Sequence, residues 1–476
     1  MKPLAMTRRE QENEAANLGD PIATNRKILD AGADAPIEHD PVWPVVSLAE
    51  IATKIGSGAT PRGGSDAYLQ SRTAFALVRS QNVFDRRFDR DGLAFISDEQ
   101  AHELRGVILQ LDDILLNITG DGITFGRSCI VPPEVLPACV NQHVAIIRLD
   151  AQRANAGYIL AFLTHPEAKS YIESFNAGGS RRAITKGHIE SFRLPLPPLP
   201  EQRAIAHILG TFDDKIDLNR RMNETLEVMT RALFTSWFVD FDPVRAKAEG
   251  RDPGLPQPLA DLLPDSFDDS ELGEIPTGWK VGALGDVAEH PRRGVHPGEF
   301  DDLTSYIALE HMPERCIALS EWRTADGLES NKFEFKKGEI LFGKLRPYFH
   351  KVGVAPVDGV CSTDIVVVKP KAEHWFGFVL GHVSSEAFVE YTNAGSTGTK
   401  MPRTSWGEMA RYICVLPPDP IALAFTAQIR SSVVRILNAI HESRSLAALR
   451  DTLLPKLISG VLRVQDIERI SGERVG

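Results

Sequence analysis

The sequence has few cysteines and no long apolar run, and each absence narrows the class of protein. Its five cysteines are scattered, and no two have the C-x-x-C spacing of a zinc site. The longest apolar runs, such as IVVV at 365–368, are far shorter than the roughly 20 residues of a membrane helix. The N-terminus is polar and charged, without the pattern of a signal peptide. These features predict a globular, cytoplasmic protein with reduced thiols and no membrane partner.

Residues that would form an active site or a metal site are also missing. GEILFGKL at 338–345 approaches the phosphate-loop pattern, but Leu345 replaces the hydroxyl that would reach magnesium, and the interior is typical of a strand. Asp326 followed by Glu334-Phe335-Lys336 resembles a nuclease core, yet a charged strand edge is the simpler interpretation. Neither the Asn-Pro-Pro-aromatic tetrapeptide of adenine methyltransferases nor a His-Glu-x-x-His motif occurs. We therefore predict no catalytic residue and no metal in this chain.

The net charge is negative, but the negative charge is concentrated in one segment. The chain has 53 Lys and Arg against 64 Asp and Glu, a net charge of −11, which taken alone argues against a nucleic-acid-binding protein. Residues 196–278 hold 8 basic and 16 acidic residues, whereas 43–195 hold 16 of each and 279–415 hold 16 and 18. The segments on either side of 196–278 are therefore close to neutral.

A long tandem repeat is the most informative feature of the sequence. WPVVSLAEI at 43–51 resembles WKVGALGDV at 279–287, with Trp, Val and Leu in matching places. Three later pairs keep the same order: DDILLNITG at 112–120 with GEILFGKLR at 338–346, VNQHVAIIR at 140–148 with CSTDIVVVK at 361–369, and AGGSRRAI at 177–184 with AGSTGTKM at 394–401. Both series end in a proline-rich approach to a helix, LPLPPLPEQRAIAHIL at 194–209 and VLPPDPIALAFTAQIR at 415–430. The chain thus contains a duplicated unit with diverged interiors.

Each unit combines an α/β part with a helical part. The α/β part alternates short β-branched runs with Gly, Asp and Asn turns and includes one predicted amphipathic helix at 156–175. The proline run then stops the last strand, because proline lacks an N–H and disfavours helical angles in the residue before it. Pro200 and Glu201 suit the first helical turn, where a missing donor is harmless and negative charge is favourable.

Apolar residues after each proline run fall on heptad spacing, which predicts a helix with one packed face. The predicted packing residues are Ile205, Leu209, Phe212, Ile216, Leu226, Leu233 and Trp237 in the first helix and Phe425, Ile429, Ile436, Leu446, Leu453 and Leu457 in the second. The matched stripes predict that the two helices pack as an antiparallel coiled coil. Asn219, Asn223 and Ser443 interrupt the stripe, either as a buried polar layer that fixes the register or as a solvated bend.

The predicted fold class is α+β, with two α/β domains in tandem pseudo-repeat separated by two long helices. The predicted segments are an N-terminal extension at 1–42, partly helical or disordered, domain 1 at 43–195, a central helical spacer and linker at 196–278, domain 2 at 279–415, and a C-terminal helical spacer at 416–476. A helix from Glu201 to Phe238 would span roughly 55 Å at about 1.5 Å per residue. Two similar but diverged domains at a fixed separation suggest that two different targets are read together. On DNA, half-sites one helical turn apart lie about 34–36 Å from each other, and the helix is long enough to span that distance.

Several segments resemble the specificity subunit of type I restriction-modification systems. They are LPLPPLPEQRAIA at 194–206, FDDKIDLNRRMNETLE at 212–227, SWFVDFDPVRAK at 236–247 and ELGEIPTGWKV at 271–281. The resemblance extends over roughly residues 43–460. It implies that 43–195 and 279–415 are target recognition domains, each reading one half of a bipartite target on double-stranded DNA. It also implies that the helices set the spacing and dock two methylation subunits.

The same resemblance implies what the rest of the complex supplies. Two ATP-driven restriction subunits would join the assembly for cleavage, as expected of a phage-defence system. S-adenosylmethionine, ATP and magnesium would belong to these partners, and this chain would hold no cofactor. The chain itself would be a non-catalytic specificity subunit of a DNA methyltransferase and endonuclease.

The candidate DNA contacts of domain 1 lie in polar loops that contain glycine. SGATPRGG at 57–64 supplies Ser57, Thr60 and Arg62, VRSQN at 78–82 supplies Arg79, Gln81 and Asn82, VNQH at 140–143 supplies Asn141 and Gln142, and GSRRAITK at 179–186 supplies Arg181, Arg182 and Lys186. Amide side chains are the natural readers of adenine, the base that this family methylates. His143 is better interpreted as a structural histidine.

Domain 2 offers a corresponding set of loops. HPRRGVH at 290–296 supplies Arg292, Arg293 and His296, FGKLRPYFH at 342–350 supplies Lys344, Arg346 and Tyr348, and GSTGTKMPR at 395–403 supplies Thr397, Thr399, Lys400 and Arg403. Asp364 aligns near Gln142 and His143, so unlike residues stand at equivalent places. This difference suits two unlike half-sites.

A second interpretation stays open from the sequence alone. Two near-neutral domains on paired helices would also suit a scaffold that assembles protein partners and binds no DNA. DNA binding by an assembled complex weakens steeply as salt rises, whereas peptide binding need not, so a salt titration separates the two classes. A defective relic is a weaker alternative, because both repeats run through without interruption.

Overall fold

The structure is a computed structural model that describes residues 43–72, 74–120, 124–174, 182–398 and 400–464. The predicted N-terminal extension at 1–42 lies outside this range. The chain divides into two compact units, Met1–Lys215 with Leu446–Gly476, and Ile216–Ser445. Both divisions fall inside the two long helices, so each helix contributes one part to each unit. Within the described residues, no helix is both long enough and apolar enough to cross a membrane.

The first unit contains domain 1. Its strands are β1 Val45–Ser47, β2 Ala52–Ser57, β3 Phe75–Val78, β4 Val83–Phe84, β5 Arg87–Phe88, β6 Ala94–Ile96, β7 Ile114–Asn117, β8 Thr119–Gly120, β9 Ser128–Ile130, β10 Ala138–Val140, β11 Val144–Leu149, β12 Arg182–Ala183 and β13 Arg193–Pro195. Its helices are α1 Leu48–Ile51, α2 Asp98–Glu103, α3 Ala156–Leu163, α4 Pro166–Ser174 and α5 Lys186–Glu190. Short 3-10 turns cover Gly64–Ala67, Ser80–Asn82, Arg105–Val107 and Pro133–Val135.

Two sheets form the centre of domain 1. One is antiparallel with the order β2-β11-β7-β9, and the other has the order β10-β3-β6 with a parallel β10–β3 pair. The central strand β11 is buried on both faces because successive side chains point to opposite sides of a strand. Ala145 and Ile147 pack with Tyr158 of α3, whereas Val144 and Ile146 join the apolar cluster of the second sheet.

The helix predicted at 156–175 is two helices, so the prediction of one continuous helix is wrong. α3 ends at Leu163 and α4 begins at Pro166. Pro166 has no N–H to donate and disfavours helical angles in the residue before it, which explains the break. At the other end of α3, Asn155 Oδ1 accepts a hydrogen bond from Tyr158 N at 3.0 Å and caps the helix.

The first long helix, α6 Leu199–Phe238, follows domain 1, and the second unit contains domain 2. The strands of this unit are β14 Phe267–Ser270, β15 Gly273–Pro276, β16 Lys280–Ala283, β17 Ala288–Glu289, β18 Gly294–Val295, β19 Ser305–Ile307, β20 Arg323–Thr324, β21 Lys332–Phe335, β22 Ile340–Gly343, β23 Val352–Val354, β24 Gly359–Cys361, β25 Ile365–Pro370 and β26 Ile413–Leu416. Its helices are α7 Asp242–Ala248, α8 Gln257–Ala260, α9 Leu284–Val287, α10 Phe376–Val383, α11 Glu386–Ala394 and α12 Trp406–Met409, and the second long helix is α13 Asp419–Ile458. Short 3-10 turns cover Leu309–His311, Pro347–Phe349 and Glu373–Trp375.

Domain 2 has the same kind of two-sheet centre. Its antiparallel sheet has the order β17-β25-β22-β23, and its second sheet has the order β18-β21-β24-β19-β20 with a parallel β19–β24 pair. GEILFGKL contributes strand β22 to the first of these sheets, as its apolar interior predicts. The antiparallel hairpin of β14 and β15 lies in the segment that the sequence assigns to a helical spacer and linker. Sequence analysis missed this hairpin.

The sequence repeat is also a repeat of strand register. In domain 1 Val144 pairs with Asn117, and in domain 2 Ile365 pairs with Gly343, the residues that the sequence alignment makes equivalent. Each domain also begins and ends with an antiparallel pair, β1 with β13 and β16 with β26. The α+β fold with two domains in tandem pseudo-repeat is therefore confirmed.

The long helices α6 and α13 run antiparallel within each unit. In the first unit Arg450 Nη1 donates to Asp213 Oδ1 at 2.6 Å, and in the second unit the rings of Trp237 and Phe425 lie 5.5 Å apart. Of the predicted packing residues, Ile205, Leu209, Trp237, Phe425, Ile429, Ile436 and Leu457 are buried, and Phe212, Ile216, Leu226, Leu233, Leu446 and Leu453 are partly buried.

The two asparagines in the stripe are buried rather than exposed at a bend. Asn219 and Asn223 are both buried, and α6 continues through them. Asn219 Nδ2 donates to Glu442 Oε2 at 2.8 Å and to Ser443 Oγ at 3.2 Å. The structure therefore favours a buried polar layer in this part of the second unit.

Candidate nucleic-acid interface

Polar loops of domain 1 meet at one edge of its antiparallel sheet, which we call loop edge 1. Strands β2 and β7 end at this edge and β11 begins there, because Ser57 pairs with Ala145 and Asn117 with Val144. Loop edge 1 consists of residues 57–64, 78–82, 117–120, 140–143 and 182–186. Most of the predicted contacts of domain 1 lie in these segments.

Backbone hydrogen bonds hold the loop at residues 57–64 against the turn before β11. Gly58 N donates to Val144 O at 2.9 Å, and Ala59 N donates to Val140 O at 3.0 Å. A Cβ on Gly58 would lie 2.2 Å from Asn141 O, so only glycine fits there. The glycine places Ser57 and Thr60, both exposed, beside the turn.

Buried amide side chains support the loop at residues 78–82. Asn82 is fully buried, and its Nδ2 donates to Asp89 O at 3.0 Å and Asp91 O at 3.2 Å. Asn117, also fully buried, donates from Nδ2 to Ser80 O at 2.9 Å. Asn82 therefore supports the loop, and Gln81 is exposed on it.

The guanidinium of Arg79 is held within the same loop. Its carbon lies 5.4 Å from the centre of the Tyr68 ring, and Nη2 donates to Gly92 O. The side chain is half-buried. Arg79 is therefore preoriented by an aromatic ring and a carbonyl group.

The turn at 141–143 carries a chain of hydrogen-bonded side chains. Asn141 is buried, and its Oδ1 accepts from His143 N at 3.1 Å, which closes the turn. The Thr60 hydroxyl donates to Gln142 Oε1, and Gln142 Nε2 lies 3.4 Å from His143 Nε2. His143 Nδ1 lies 2.6 Å from Thr119 Oγ1. Gln142 itself is exposed, so its amide is both held and accessible.

The remaining cations of domain 1 lie around this network. Arg62 has a side chain 91% exposed and pairs at 3.7 Å with Glu103, and Lys186 pairs at 3.4 Å with Glu190. Arg182 belongs to β12 and pairs through its backbone with Gly120. Arg181 lies outside the described residues.

Loops of domain 2 meet at the equivalent edge, which we call loop edge 2. It consists of residues 344–348, 361–364, 397–398 and 400–404, at the end of β22 and the start of β25. Lys344 N donates to Asp364 O at 2.9 Å, and Thr404 N donates to Lys344 O at 3.0 Å. These bonds join residues 344, 364 and 404, one from each part of the edge, at one place.

The turn before β25 is built like the turn before β11. Ile365 N donates to Ser362 O at 2.9 Å, and Ser362 Oγ accepts from Asp364 N at 3.2 Å. Asp364 Oδ1 lies 3.4 Å from Arg403 Nη2, and the backbone of Arg403 pairs in both directions with Thr397 at 3.0 Å. The half-exposed guanidinium of Arg403 thus extends from a backbone held by Thr397 and lies beside an acid.

The predicted segment at 290–296 also carries several basic residues. Burial lowers the pKa of His290, and the nearby charges of Arg292, Lys344 and Arg293 lower it further. Arg292 is exposed. Arg293 is only 28% exposed and is ion-paired with Glu339, so this predicted contact is largely engaged inside domain 2.

The other predicted residues of domain 2 differ in accessibility. Tyr348 is 48% exposed, and its ring lies 4.7 Å from that of Phe349. Arg346 is half-buried in the left-handed region with φ 50°, and His296 Nδ1 lies 3.0 Å from Asn331 Oδ1. Thr397 and Lys400 are exposed, and Thr399 lies outside the described residues.

Sequence reasoning missed several residues at these edges. Thr119 touches His143, Tyr68 lies under Arg79, and Asn117 supports the loop at residues 78–82. Thr363 of domain 2, aligned with Gln142, is exposed at the equivalent turn. Only its position in the repeat could have indicated it. Within the described residues no group of His, Cys, Asp and Glu side chains could hold a metal ion.

Comparison with known proteins agrees with a doubled recognition fold. A family model described as the type I restriction modification DNA specificity domain matches residues 43–228. The HindI specificity subunit of Haemophilus influenzae is 24% identical over 472 residues, which cover 88% of this chain and 99% of that relative. The MjaIX specificity subunit of Methanocaldococcus jannaschii is 24% identical over 311 residues, which cover 62% and 67%.

A solved structure shares the fold. The type I restriction-modification S subunit from M. genitalium matches with a TM-score of 0.51 and 12% identity, over 89% of this chain and 98% of that one. The repeated domains with their convergent polar loops define a recognition protein. In sequence and fold the chain is similar to the specificity subunits of type I restriction-modification systems.

Proposed function

We propose that this chain is the DNA sequence-specificity subunit of a type I restriction-modification complex. Domain 1 would read one half of a bipartite target through loop edge 1, and domain 2 would read the other half through loop edge 2. The observation that carries the proposal is the repeated strand register, which builds the same edge twice from different polar side chains. Two edges with the same strand register but different polar side chains suit two different half-sites.

The side chains at the two edges fit the two kinds of contact that DNA recognition needs. Exposed cations such as Arg62, Lys186 and Lys400 are accessible to phosphates, which position a protein without reading sequence. Amides and guanidinium groups in fixed orientations read base edges in the major groove. Gln142 and Arg403 have that character.

The paired helices α6 and α13 would serve as an antiparallel coiled-coil spacer and as the docking site for two methylation subunits. Two restriction subunits would join the same complex for cleavage, and the assembly would act in phage defence in the cytoplasm. S-adenosylmethionine, ATP and magnesium would be bound by these partners. The chain itself is a non-catalytic member of its family and contributes recognition.

The near-neutral domains are compatible with this function. Residues 43–195 carry equal numbers of basic and acidic residues, so their net attraction for DNA is weak. Partner subunits that also contact phosphates would supply the remaining affinity, and the complex as a whole would show the strong salt dependence of a DNA-binding protein. The alternative of a scaffold that does not bind DNA gains no support from the comparisons.

Methylation mapping by long-read sequencing tests the proposal directly. A host carrying this gene with its methylation-subunit gene is compared with a host that lacks only this gene. We expect a split adenine-methylated motif that appears only in the first host. Co-purification of the two proteins without any motif would contradict the proposed function.

A further inference from the structure

The amide of Gln142 has a fixed orientation and one unused donor and acceptor. A glutamine amide has two N–H donors and an oxygen with two lone pairs. Thr60 uses one lone pair, and His143 Nε2 accepts one N–H when its Nδ1 donates to Thr119. One donor and one acceptor therefore stay available, side by side, on an exposed group.

This remaining pattern is complementary to adenine. In the major groove adenine presents the N7 acceptor and the N6 donor next to each other, whereas guanine presents two acceptors, N7 and O6. Guanine would place an acceptor against the amide oxygen of Gln142. To avoid that repulsion the amide would have to turn, and Thr60 and His143 would then have to exchange their donor and acceptor roles.

Arg403 offers a different pattern beside the equivalent turn of domain 2. A guanidinium group has only donors, and Asp364 engages it from one side at 3.4 Å. Backbone bonds to Thr397 fix where the side chain begins. The remaining parallel N–H groups match the two acceptors of guanine, the commonest partner of arginine in DNA recognition.

We propose that the turns at 141–143 and 362–364 each position a base-reading side chain, and that the two readers have different specificities. Gln142 reads an adenine in one half-site, positioned by Thr60 and His143. Arg403, positioned by Asp364, reads a guanine in the other half-site. This inference rests on the proposed function and goes beyond it, because it assigns one base to one residue in each domain.

The test compares two reader variants with two matched controls in the complex assembled with its methylation subunit. The variants are Gln142→Ala and Arg403→Ala. The controls are Gln152→Ala, an exposed glutamine beyond the other end of β11, and Arg251→Ala, an exposed arginine that also pairs with an acid. Methylation motifs are mapped for each complex, and binding is measured on DNA pairs that differ at one position of the motif.

We expect each reader variant to relax a single position, in a different half-site. Gln142→Ala should reduce the preference for adenine at one position by about 5-fold to 150-fold, and Arg403→Ala should do the same for one guanine in the other half. Both controls should leave the motif unchanged. Unaltered preference in either reader variant, or an equal loss of binding on all sequences, would overturn the assignment.

A second pair of variants tests the role of Thr60 as a positioning residue. Thr60→Val removes the hydroxyl at nearly constant shape and should weaken adenine preference at the same position as Gln142→Ala. Thr60→Ser keeps the hydroxyl and should restore it. If valine and serine behave alike, the network does not orient the reader. A wild-type complex without any split motif would instead contradict the proposed function, so the two failures can be told apart.

Discussion

The two domains share one backbone frame and differ in the polar residues that the frame carries. In both, a closed turn precedes the central strand, but its first residue is Asn141 in one and Ser362 in the other. The residues that follow are Gln142 and His143 in domain 1, against Thr363 and Asp364 in domain 2. Strand register is thus kept while the chemistry at the sheet edge changes. Recognition can diverge in this fold without a change in the core.

The domains also differ within the second sheet. After β6 domain 1 forms helix α2 and then a single bridge between Ile108 and Cys139, whereas domain 2 has a full strand, β21, paired with β24. The central bridge of each is equivalent in the repeat. The equivalent segment thus contributes one bridge to the second sheet of domain 1 and a whole strand to that of domain 2.

Each domain has a buried acid at an equivalent position, and the two acids pair with arginines from different places in the sequence. Removal of such an acid should have the largest effect on stability. Asp113 is fully buried and accepts from Arg148 Nε and Nη2, both at 2.7 Å, whereas Glu339 pairs with Arg293. We expect Asp113→Ala to lower the stability of domain 1 by about 3 kcal/mol, since it leaves Arg148 without its partner. Hydrogen exchange should show the loss in residues 43–195.

Domain 2 serves as the internal control for this variant. Exchange protection in residues 279–415 should be unchanged, because Glu339 keeps its own arginine. Equal loss of protection in both domains would contradict the interpretation that each acid acts within its own domain.

A glycine at loop edge 1 permits a test that breaks one edge alone. A Cβ on Gly58 would lie 2.2 Å from Asn141 O, whereas a Cβ on Gly56, two residues earlier in β2, would meet nothing within 4 Å. Gly58→Ala should cost about 1–3 kcal/mol and displace the turn at 141–143. We expect Gly58→Ala to lose the methylation that depends on the half-site read by domain 1. Gly56→Ala should retain this methylation. Similar methylation by the two variants would exclude a role for this close approach.

A histidine in domain 2 should make its stability more sensitive to acid than that of domain 1. His382 is buried, and burial lowers its pKa from 6.5 to about 3, whereas Phe162 occupies the equivalent place in domain 1. The unfolded chain binds a proton here below about pH 6.5 and the folded chain does not. Stability is therefore full above that pH and falls towards pH 3, by about 2 kcal/mol at pH 5.

His382→Phe should remove most of this pH dependence by making the two domains alike at this position. Unfolding in urea at pH 7.5 and pH 5.0, followed by tryptophan fluorescence, measures the effect, since five of the six tryptophans lie in the second unit. A smaller slope should persist because burial also lowers the pKa of His290, His311 and His350. An unchanged pH dependence would show that His382 does not control it.

Removal of exposed cations should have the smallest effects on DNA binding, and these effects should be of the same kind at the two edges. Arg62→Ala and Lys400→Ala each remove a candidate phosphate contact. We expect each to weaken binding a few-fold on all sequences and to reduce the salt slope by about 1, with the methylation motif unchanged. Salt titrations of the assembled complex measure this. A changed motif would mean that the residue reads a base.

The strands of the repeat could be predicted from the sequence because they are β-branched runs with strong local signals. The same reasoning failed where proline broke a helix at Pro166 and where a polar segment formed the hairpin of β14 and β15. In both cases the amphipathic pattern or composition suggested a simpler element than the one that forms.

The candidate loops could be predicted, but not the contacts within them. Thr60 and Gln142 are 82 residues apart, and nothing local indicates that they meet. Asn82 and Arg293 had the right residue types for DNA contact, yet one is buried beneath its loop and the other is paired with Glu339. Residue type gives the chemistry of a side chain, whereas its availability depends on tertiary packing.

The antiparallel pairs β1–β13 and β16–β26 mean that the chain enters and leaves each domain at adjacent points. A domain attached in this way is an insertion between two neighbouring positions. Its interior can be replaced by another of different length, provided that the terminal strand pair is kept. New target specificities can therefore arise by exchange of whole domains, with the rest of the chain and its assembly surfaces left intact.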